Sequence, residues 1–563
     1  MVIAAKNYEP TVRGYQRIGG YERFDGRPRP SDASFWRLSF ADGTSAPSEG
    51  DIVTGGASGA SGTVLADAIA LTGAFAGGDA TGDLALYDAT GTFQDGEDLQ
   101  ISGATFAVVD GVAAERDAAN EADLNAFLRA AIEKRRAMIG PVPGSGPVRG
   151  VTEYGGSIYT FRDNAGGTAC AIHRATSAGW VEVDTSGTRT VRFTAGTGAF
   201  VEGETLTDSG GQTATVQRVI VQRGAFAYTG DTPGDAEGYL VLSGASGALS
   251  SGAATGSGEG AANLSGADEG FVLSPGGRFA FTTHNFKGDA LQARLYGCNG
   301  LDRAFEFDGT ILAPIETGLS EALEKPTHIA EFSNHLFLGY ETGLVQHSGI
   351  GNPLSFNAAT DGAGSFSSGS RVTGFIQSAS SALVILGRNR VSYMTGTSAI
   401  DFTLTVLADD AGAVEWTNQL VGSPIYLDDA GVRRMATTQA YGNWKIGTIT
   451  QLITPFFDEK QAAGILPVAS VRSRGKDQYR LFYADGSGLT IYFGQKNPEA
   501  LPFELPFVVS AACVGVLAED ELIFAGSEDG CVYQMDAGTS FDGQEVEAFV
   551  LFAFNHLGSP QQQ

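Results

Sequence analysis

"VASVRSRGKDQYRLFYADGSGLTIYFG", residues 468–494, holds strand-like runs separated by short glycine-bearing turns. Alternating and β-branched residues between such turns predict consecutive antiparallel strands. Comparable groups begin near Thr327, Val372, Leu420, Val468 and Ala511, a recurrence of about 40 to 50 residues, which is the length of one four-stranded propeller blade. Earlier runs share the rhythm: "GSIYTFRD", "AIHRA" and "GWVEVD" before residue 189, and "RFAFTTHNF", "LQARLYGCNG" and "RAFEFDG" after residue 270. The expected fold is therefore all-β in the main, a β-propeller carrying two small inserted β modules and one long helix. A β-sandwich array would show longer, less regular spacing, and a β-helix much shorter repeats.

The inserted modules are expected at 37–113 and 190–268. "ATGTFQDGEDLQISG" (89–103) echoes "GTGAFVEGETLTDSG" (196–210), pairing Gly91 with Gly198, Phe93 with Phe200, Gly96 with Gly203, Glu97 with Glu204 and Leu99 with Leu206. "SEGDIVTGGASGASGTV" (48–64) similarly echoes "VEGETLTDSGGQTATV" (201–216), the pattern of a hairpin-built unit. The small-residue stretch 243–266 reads either as part of such a unit or as a flexible linker. Between the modules, Leu124, Phe127, Leu128, Ala131 and Ile132 share one helical face. Acidic residues precede them and Lys134, Arg135 and Arg136 follow, as the helix dipole favours. Helix and linker are placed at 114–139, propeller portions at 140–189 and 269–545, an extended N-terminal arm at 1–36 and a C-terminal segment at 546–563.

The 563-residue chain carries a formal net charge of -28 and 78 glycines, about twice the number average usage of near 7 % gives. That charge argues against tight nucleic-acid binding over the general surface, which needs clustered Lys and Arg. Yet residues 1–29 hold six basic and three acidic side chains, so the head is about +3 and the remainder about -31. Four scattered cysteines (Cys170, Cys298, Cys513, Cys531) lack CxxC spacing and are expected as reduced, partly buried thiols. The start lacks the apolar core of a signal peptide, and no run approaches 18 apolar residues, so synthesis in a cytoplasm and no membrane-spanning helix are expected.

Catalytic signatures are sparse. "LDDAG" (Asp428, Asp429, Gly431) and "SEDG" (Glu528, Asp529, Gly530) set carboxylates beside glycine, but each lies between strand-like runs, where such sequences make hairpin turns. The six histidines, at 173, 284, 328, 335, 347 and 556, show no close-paired metal-ligand spacing and read as partly buried strand residues. No phosphate loop or GxSxG elbow is present. No enzyme activity, cofactor or metal is expected.

In order along the chain, "IGGYERFDGRP" (18–28), "EFSNHLFLGY" (331–340) with "GLVQHSGIGNPLSF" (343–356), "SALVILGRNRVSYMTG" (381–396), "GSPIYLDDAGVRRMATTQAYGNWKIGTITQLITPFF" (422–457) and "FAGSEDGCVYQMDAGTSFDG" (524–543) resemble the tail nozzle, or tail tubular, proteins of short-tailed bacteriophages. The resemblance implies a structural virion subunit, assembled in the host cytoplasm as a homohexameric ring below the portal and its adaptor, near tail fibres or other tail proteins. Genomic DNA would pass through the lumen without sequence-specific binding, and an acidic lumen would repel its phosphates. The basic head then becomes a segment laid over its own propeller or onto a neighbour, with Tyr15, Arg17, Tyr21, Arg23 and Arg27 as candidate contacts to another subunit or the adaptor. The alternative is a tail-associated receptor-binding or polysaccharide-degrading propeller protein.

Overall fold

A computed structural model describes residues 2–66, 69–118, 120–226, 234–288, 293–378, 382–437, 444–450, 453–495 and 497–552. The opening stretch forms strands Pro467–Ser473, Gln478–Tyr483 and Ser487–Tyr492, joined antiparallel and completed by Glu499–Glu504. Its turns are built as the sequence predicts: Gly486 takes φ +82°, and the Asp485 carboxylate accepts from the Ser487 N–H at 3.1 Å. All six residues of Gln478–Tyr483 are buried, because a central blade strand is covered on both faces by neighbouring blades.

Seven such sheets make a seven-bladed propeller: residues 145–182, 280–314, 328–367, 372–408, 419–448, 467–504 and 509–535, numbered here blades 1 to 7. The predicted group starts fall within two residues of the first strands of blades 3 to 7, at His328, Val372, Gln419, Pro467 and Val509. Those first strands are the innermost, and they crowd the axis. Gly150 of blade 1 shows how closely: a Cβ there would lie 2.8 Å from Phe279 Cβ, at the entry to the next blade.

Blade 7 supplies only three strands of its own. Its outer strand is Tyr21–Arg23, in register Tyr21 to Met535, Glu22 to Gln534 and Arg23 to Tyr533. The arm expected over 1–36 is thus not a free extension. It closes the ring, because an outer edge left unpaired would expose its backbone groups. Further out, Val2–Lys6 pairs with Phe549–Phe552, so the first and last described strands meet.

The two modules are closed six-stranded barrels. One uses Trp36–Gly43, Ile52–Gly55, Ser61–Val64, Ala80–Thr90, Asp98–Ile101 and Ala104–Val109; the other uses Arg189–Gly198, Thr205–Thr207, Thr213–Arg223, Ala236–Ser243, Gly252–Gly256 and Ala261–Gly270. Numbering strands within each, both rings run first, sixth, fifth, second, third, fourth and back to the first. That order is unchanged when the halves are exchanged, so each barrel is two copies of one strand-and-hairpin unit. The four copies share a turn. Gly50, Gly96, Gly203 and Gly252 all have positive φ (91°, 79°, 91° and 119°), and three residues before each lies a buried Pro47, Phe93, Phe200 or Leu249. In three copies the next residue is acidic and accepts a backbone N–H: Asp51 from Ser48 at 2.8 Å, Glu97 from Gln94 at 2.6 Å, Glu204 from Val201 at 2.8 Å. The stretch 243–266 contains strands of the second barrel, which removes the linker reading.

Helix α1, Glu121–Met138, is capped by Asn120, whose side chain accepts from the Asp123 N–H at 3.0 Å. Phe127 and Ala131 bury against Phe35, Ala85 and Tyr87 of the first barrel. A second helix, α2 (Thr454–Ala462), lies beyond the single helix expected; Pro455 in its first turn suits a helix start.

Candidate functional site

The strap formed by the N-terminal segment draws most of its candidate contacts inward. Tyr21 is 3 % exposed and packs its ring 5.0 Å from each of Phe507, Tyr533 and Phe541. Arg23 Nε lies 2.6 Å from Asp542, whose other oxygen takes Arg136 Nε of α1 at 3.2 Å. Arg27 pairs with Asp25 and donates to the Met138 and Ala178 carbonyls. Tyr21, Arg23 and Arg27 are therefore spent within the chain. Arg17, exposed, donates to the Thr539 carbonyl at 3.1 Å, and Tyr15 keeps an exposed edge with its ring 5.9 Å from Phe552.

The deepest anchor is acidic. Glu9 is fully buried and meets Lys476 Nζ at 2.8 Å, Arg480 Nη2 at 3.0 Å and Gln478 Nε2 at 3.1 Å. Asp536 completes the network, 2.9 Å from Arg480 and 3.0 Å from Lys476. Burial alone would raise Asp536; the two cations outweigh it and hold its carboxyl below the usual range. Nothing local in "NYEPT" distinguishes Glu9: apart from Gln16, which donates to it at 2.8 Å, its partners lie more than 460 residues away.

The carboxylate–glycine sequences are turns. Asp428 accepts from the Ala430 N–H at 2.7 Å and pairs with Arg433 at 2.5 Å, while Asp429 pairs with Arg388 at 2.6 Å. Asp529 accepts from the Cys531 N–H at 3.1 Å, ahead of the strand Val532–Met535. Five histidines, at 173, 284, 328, 335 and 347, sit on blade strands; His556 lies outside the described residues. The four cysteines are unpaired thiols, and among the described residues no three His, Cys, Asp or Glu gather as metal ligands. No described helix is long and apolar enough to cross a membrane.

Two of the concavities lie among the inner and neighbouring blade strands. On the axis, a cavity of about 290 Å³ is walled by the inner strands of all seven blades and the loops preceding two of them. Its described lining includes Arg278 and His328 and no carboxylate. One turn of an α-helix, about 10 Å across and 5.4 Å high, would overfill it, so the propeller's own axis is closed to duplex DNA. Between blades 4, 5 and 6 lies a cleft of about 560 Å³, floored by Trp416, Leu427, Phe457 and Tyr483 and rimmed by Arg371, Arg388, Asp428 and Asp429. Those rim charges are paired, Arg371 with Glu415 at 2.6 Å and the others as above.

No family model and no curated protein matches this chain. Among solved structures, virginiamycin B lyase from Staphylococcus aureus is similar at 8 % identity over 62 % of this chain and 99 % of its own, with a TM-score of 0.32. A streptogramin B lyase gives 10 % identity over 61 % and 97 %, TM-score 0.33, and the BBS1N–ARL6DN complex 10 % over 51 % and 86 %, TM-score 0.32. Likenesses this distant carry no argument about function.

Proposed function

We propose that this chain is a structural subunit of the tail nozzle of a short-tailed bacteriophage, six copies forming a ring around the DNA exit channel below the portal adaptor. The observation that carries this reading is how two of the resembling segments behave: "IGGYERFDGRP" supplies the outer strand of the blade that "FAGSEDGCVYQMDAGTSFDG" builds, so motifs some 500 residues apart form one closing sheet. The buried ion networks fit a structural role too. Glu9 with Arg480, Asp542 with Arg23 and Arg136, and Arg218 with Glu306 each join separate parts of the chain and leave no charge converging on a reaction centre. With the propeller axis closed, the conduit runs between subunits, where a chain of net charge -28 repels phosphates.

Negative-stain imaging of the purified full chain tests the reading: sixfold rings are expected, and monomers at all concentrations would refute it. Deleting residues 1–29 is no clean test of assembly, since it removes the closing strand. Tyr15→Ser with Arg17→Ser leaves that strand intact and is expected to abolish rings with little change in melting temperature. A second reading, a tail protein acting on host polysaccharide, has the aromatic-floored cleft beside Asp428 and Asp429 in its favour. Release of reducing ends from host capsule, lost in Asp429→Asn, would promote it over the first.

A further inference from the structure

Two histidines of blade 3 face each other beneath a side chain of blade 4. His335 opens the second strand of blade 3 and His347 ends the third, so both stand at the same end of the sheet. Their rings meet edge to face with centroids 5.5 Å apart, and both are buried, 1 % and 5 % exposed. Phe402, the residue before the outermost strand of blade 4, closes the group: its ring lies 5.1 Å from His335, 5.2 Å from His347 and 5.7 Å from Phe337. It follows a tight turn, residues 397–401, in which the Asp401 carboxylate accepts from the N–H groups of Thr397 at 3.0 Å and Ser398 at 2.7 Å. Beyond it runs the outer strand Thr403–Ala408, whose Leu404 joins Phe402 on the apolar cluster shared by blades 3 and 4. An aromatic plug in a socket walled by histidine thus helps to hold the edge of one blade to the next.

We propose that this seam is an acid-released latch: protonation of His335 and His347 expels Phe402 and frees the turn and outer strand of blade 4 while the ring stays closed. Each imidazole spends Nδ1 on a backbone carbonyl, Ser333 at 2.8 Å and Ser348 at 3.1 Å, so the neutral ring keeps its proton there and takes the second on Nε2. On His347 that nitrogen looks onto backbone, since a Cβ on Gly364 would stand 2.7 Å from it. The acids on the strands and loops packed here are turned elsewhere: Glu331 to the Asn334 N–H at 2.9 Å and to His284 at 3.8 Å, Asp361 to Asn352 at 3.5 Å, and Asp401 to its own turn. Lys287, beyond His284, pairs with Glu202 at 3.3 Å. Two imidazolium charges would therefore repel inside a buried aromatic socket, where water screens them little. Burial, partly offset by the Ser333 carbonyl and by Glu331, lowers His335 from its ordinary 6.5; burial, partly offset by the Ser348 carbonyl and reinforced by His335, lowers His347. The closed seam has its full stability above 6.5 and loses it as pH falls. Asp401 is held below the usual carboxylate range by the bonds of its turn, so the turn leaves as a folded unit. This inference is independent of the nozzle reading.

Deuterium exchange of the full chain at pH 7 and pH 5, corrected for intrinsic rates, tests it. Residues 396–408 are expected to exchange about tenfold faster or more at pH 5, because an opening that takes up one or two protons gains up to roughly ten- to hundredfold per pH unit. Blade 6, which contains no histidine, is expected to hold its protection. His335→Asn with His347→Asn keeps a side-chain donor for each carbonyl and cannot be charged, and is expected to remove the acid response at 396–408. Exchange there that stays within about twofold between the two pH values, an equal rise in blade 6, or a full acid response in the double variant would overturn the proposal. Should that variant fail to fold, Phe402→Ala decides: residues 396–408 are then expected to be open at both pH values, and a surviving acid response overturns the latch equally.

Discussion

The two barrels share one strand order and differ in how they are mounted. The second is fused directly to the propeller: Ile220, Tyr239 and Val241 on its outside belong to the same buried cluster as Tyr296, Ala313 and Ile329 of blades 2 and 3. Arg218 locks that joint, with Nε 2.6 Å from Glu306 and Nη2 2.9 Å from Asp308, all three largely buried. The first barrel instead buries its outer face on α1, and the link onward is a few polar contacts, chiefly Arg136 to Asp542 and Arg27 to the Met138 carbonyl. One module is thus an extension of the propeller core, and its twin is a separate body on a helical spacer.

The difference can be broken at its strongest point first. Arg218→Met leaves Glu306 and Asp308 buried with only the more distant Arg294, at 4.0 and 3.8 Å, and should cost about 3 kcal/mol, read as a lowered denaturation midpoint for the propeller and second barrel together. The matching change in the first mount, Arg136→Met, leaves Asp542 still paired with Arg23 and should cost about 1–2 kcal/mol.

Emptying each barrel sharpens the contrast. Phe93 and Phe200 are equivalent core residues, 2 % and 5 % exposed, and truncating either to Ala should cost about 3–5 kcal/mol. Hydrogen exchange should show Phe93→Ala loosening only the first barrel, and Phe200→Ala also raising exchange in blades 2 and 3. Equal spread from both variants would abolish the distinction.

Acid should separate blades from barrels. Every described histidine is on a blade, and neither barrel contains one. Burial, and then Arg162, hold His173 down to about 4 from its ordinary 6.5. A base whose folded pKa is depressed contributes stability that is full above 6.5 and is lost as pH falls towards 4, here about 3 kcal/mol. Blade 1 should therefore exchange faster at pH 4.5 than at 7 after correction for intrinsic rates, the barrels should not, and His173→Phe should flatten the blade response.

The smallest effect tests the repeat itself. Gly96 and Gly203 have positive φ and open space where a Cβ would stand, so Ala at either costs only backbone strain, about 1–2 kcal/mol. The two values should agree within the error of a denaturation curve if the turns are equivalent.

Blade period was legible because hairpin turns announce themselves in neighbouring residues, as "ADGS" does at 484–487. The internal twofold of the barrels was half legible. Three copies stood out by a glycine followed by an acid, at 50–51, 96–97 and 203–204, whereas the Leu249–Ala253 copy keeps the geometry with different side chains. The closing strand was not legible, since Tyr21–Arg23 is three residues long and finds its partner across the whole chain. Nor could the axial cluster be read, because Arg278, His328 and Trp416 come from three different places in the sequence and only the ring geometry makes them neighbours.

Closure of the ring by the N-terminal strand also sets an order of events during synthesis. The ribosome releases Tyr21–Arg23 first, yet Val532–Met535 emerges some 500 residues later, about 25–100 s at ordinary elongation rates. Throughout that interval the nascent propeller is an open arc whose final edge does not yet exist, while the first barrel, complete by Val109, can already fold beside the waiting strand. The disc can close only once Val532–Met535 has emerged, and a chain stalled before that point is left with an unsealed sheet edge, ready to pair with a neighbour.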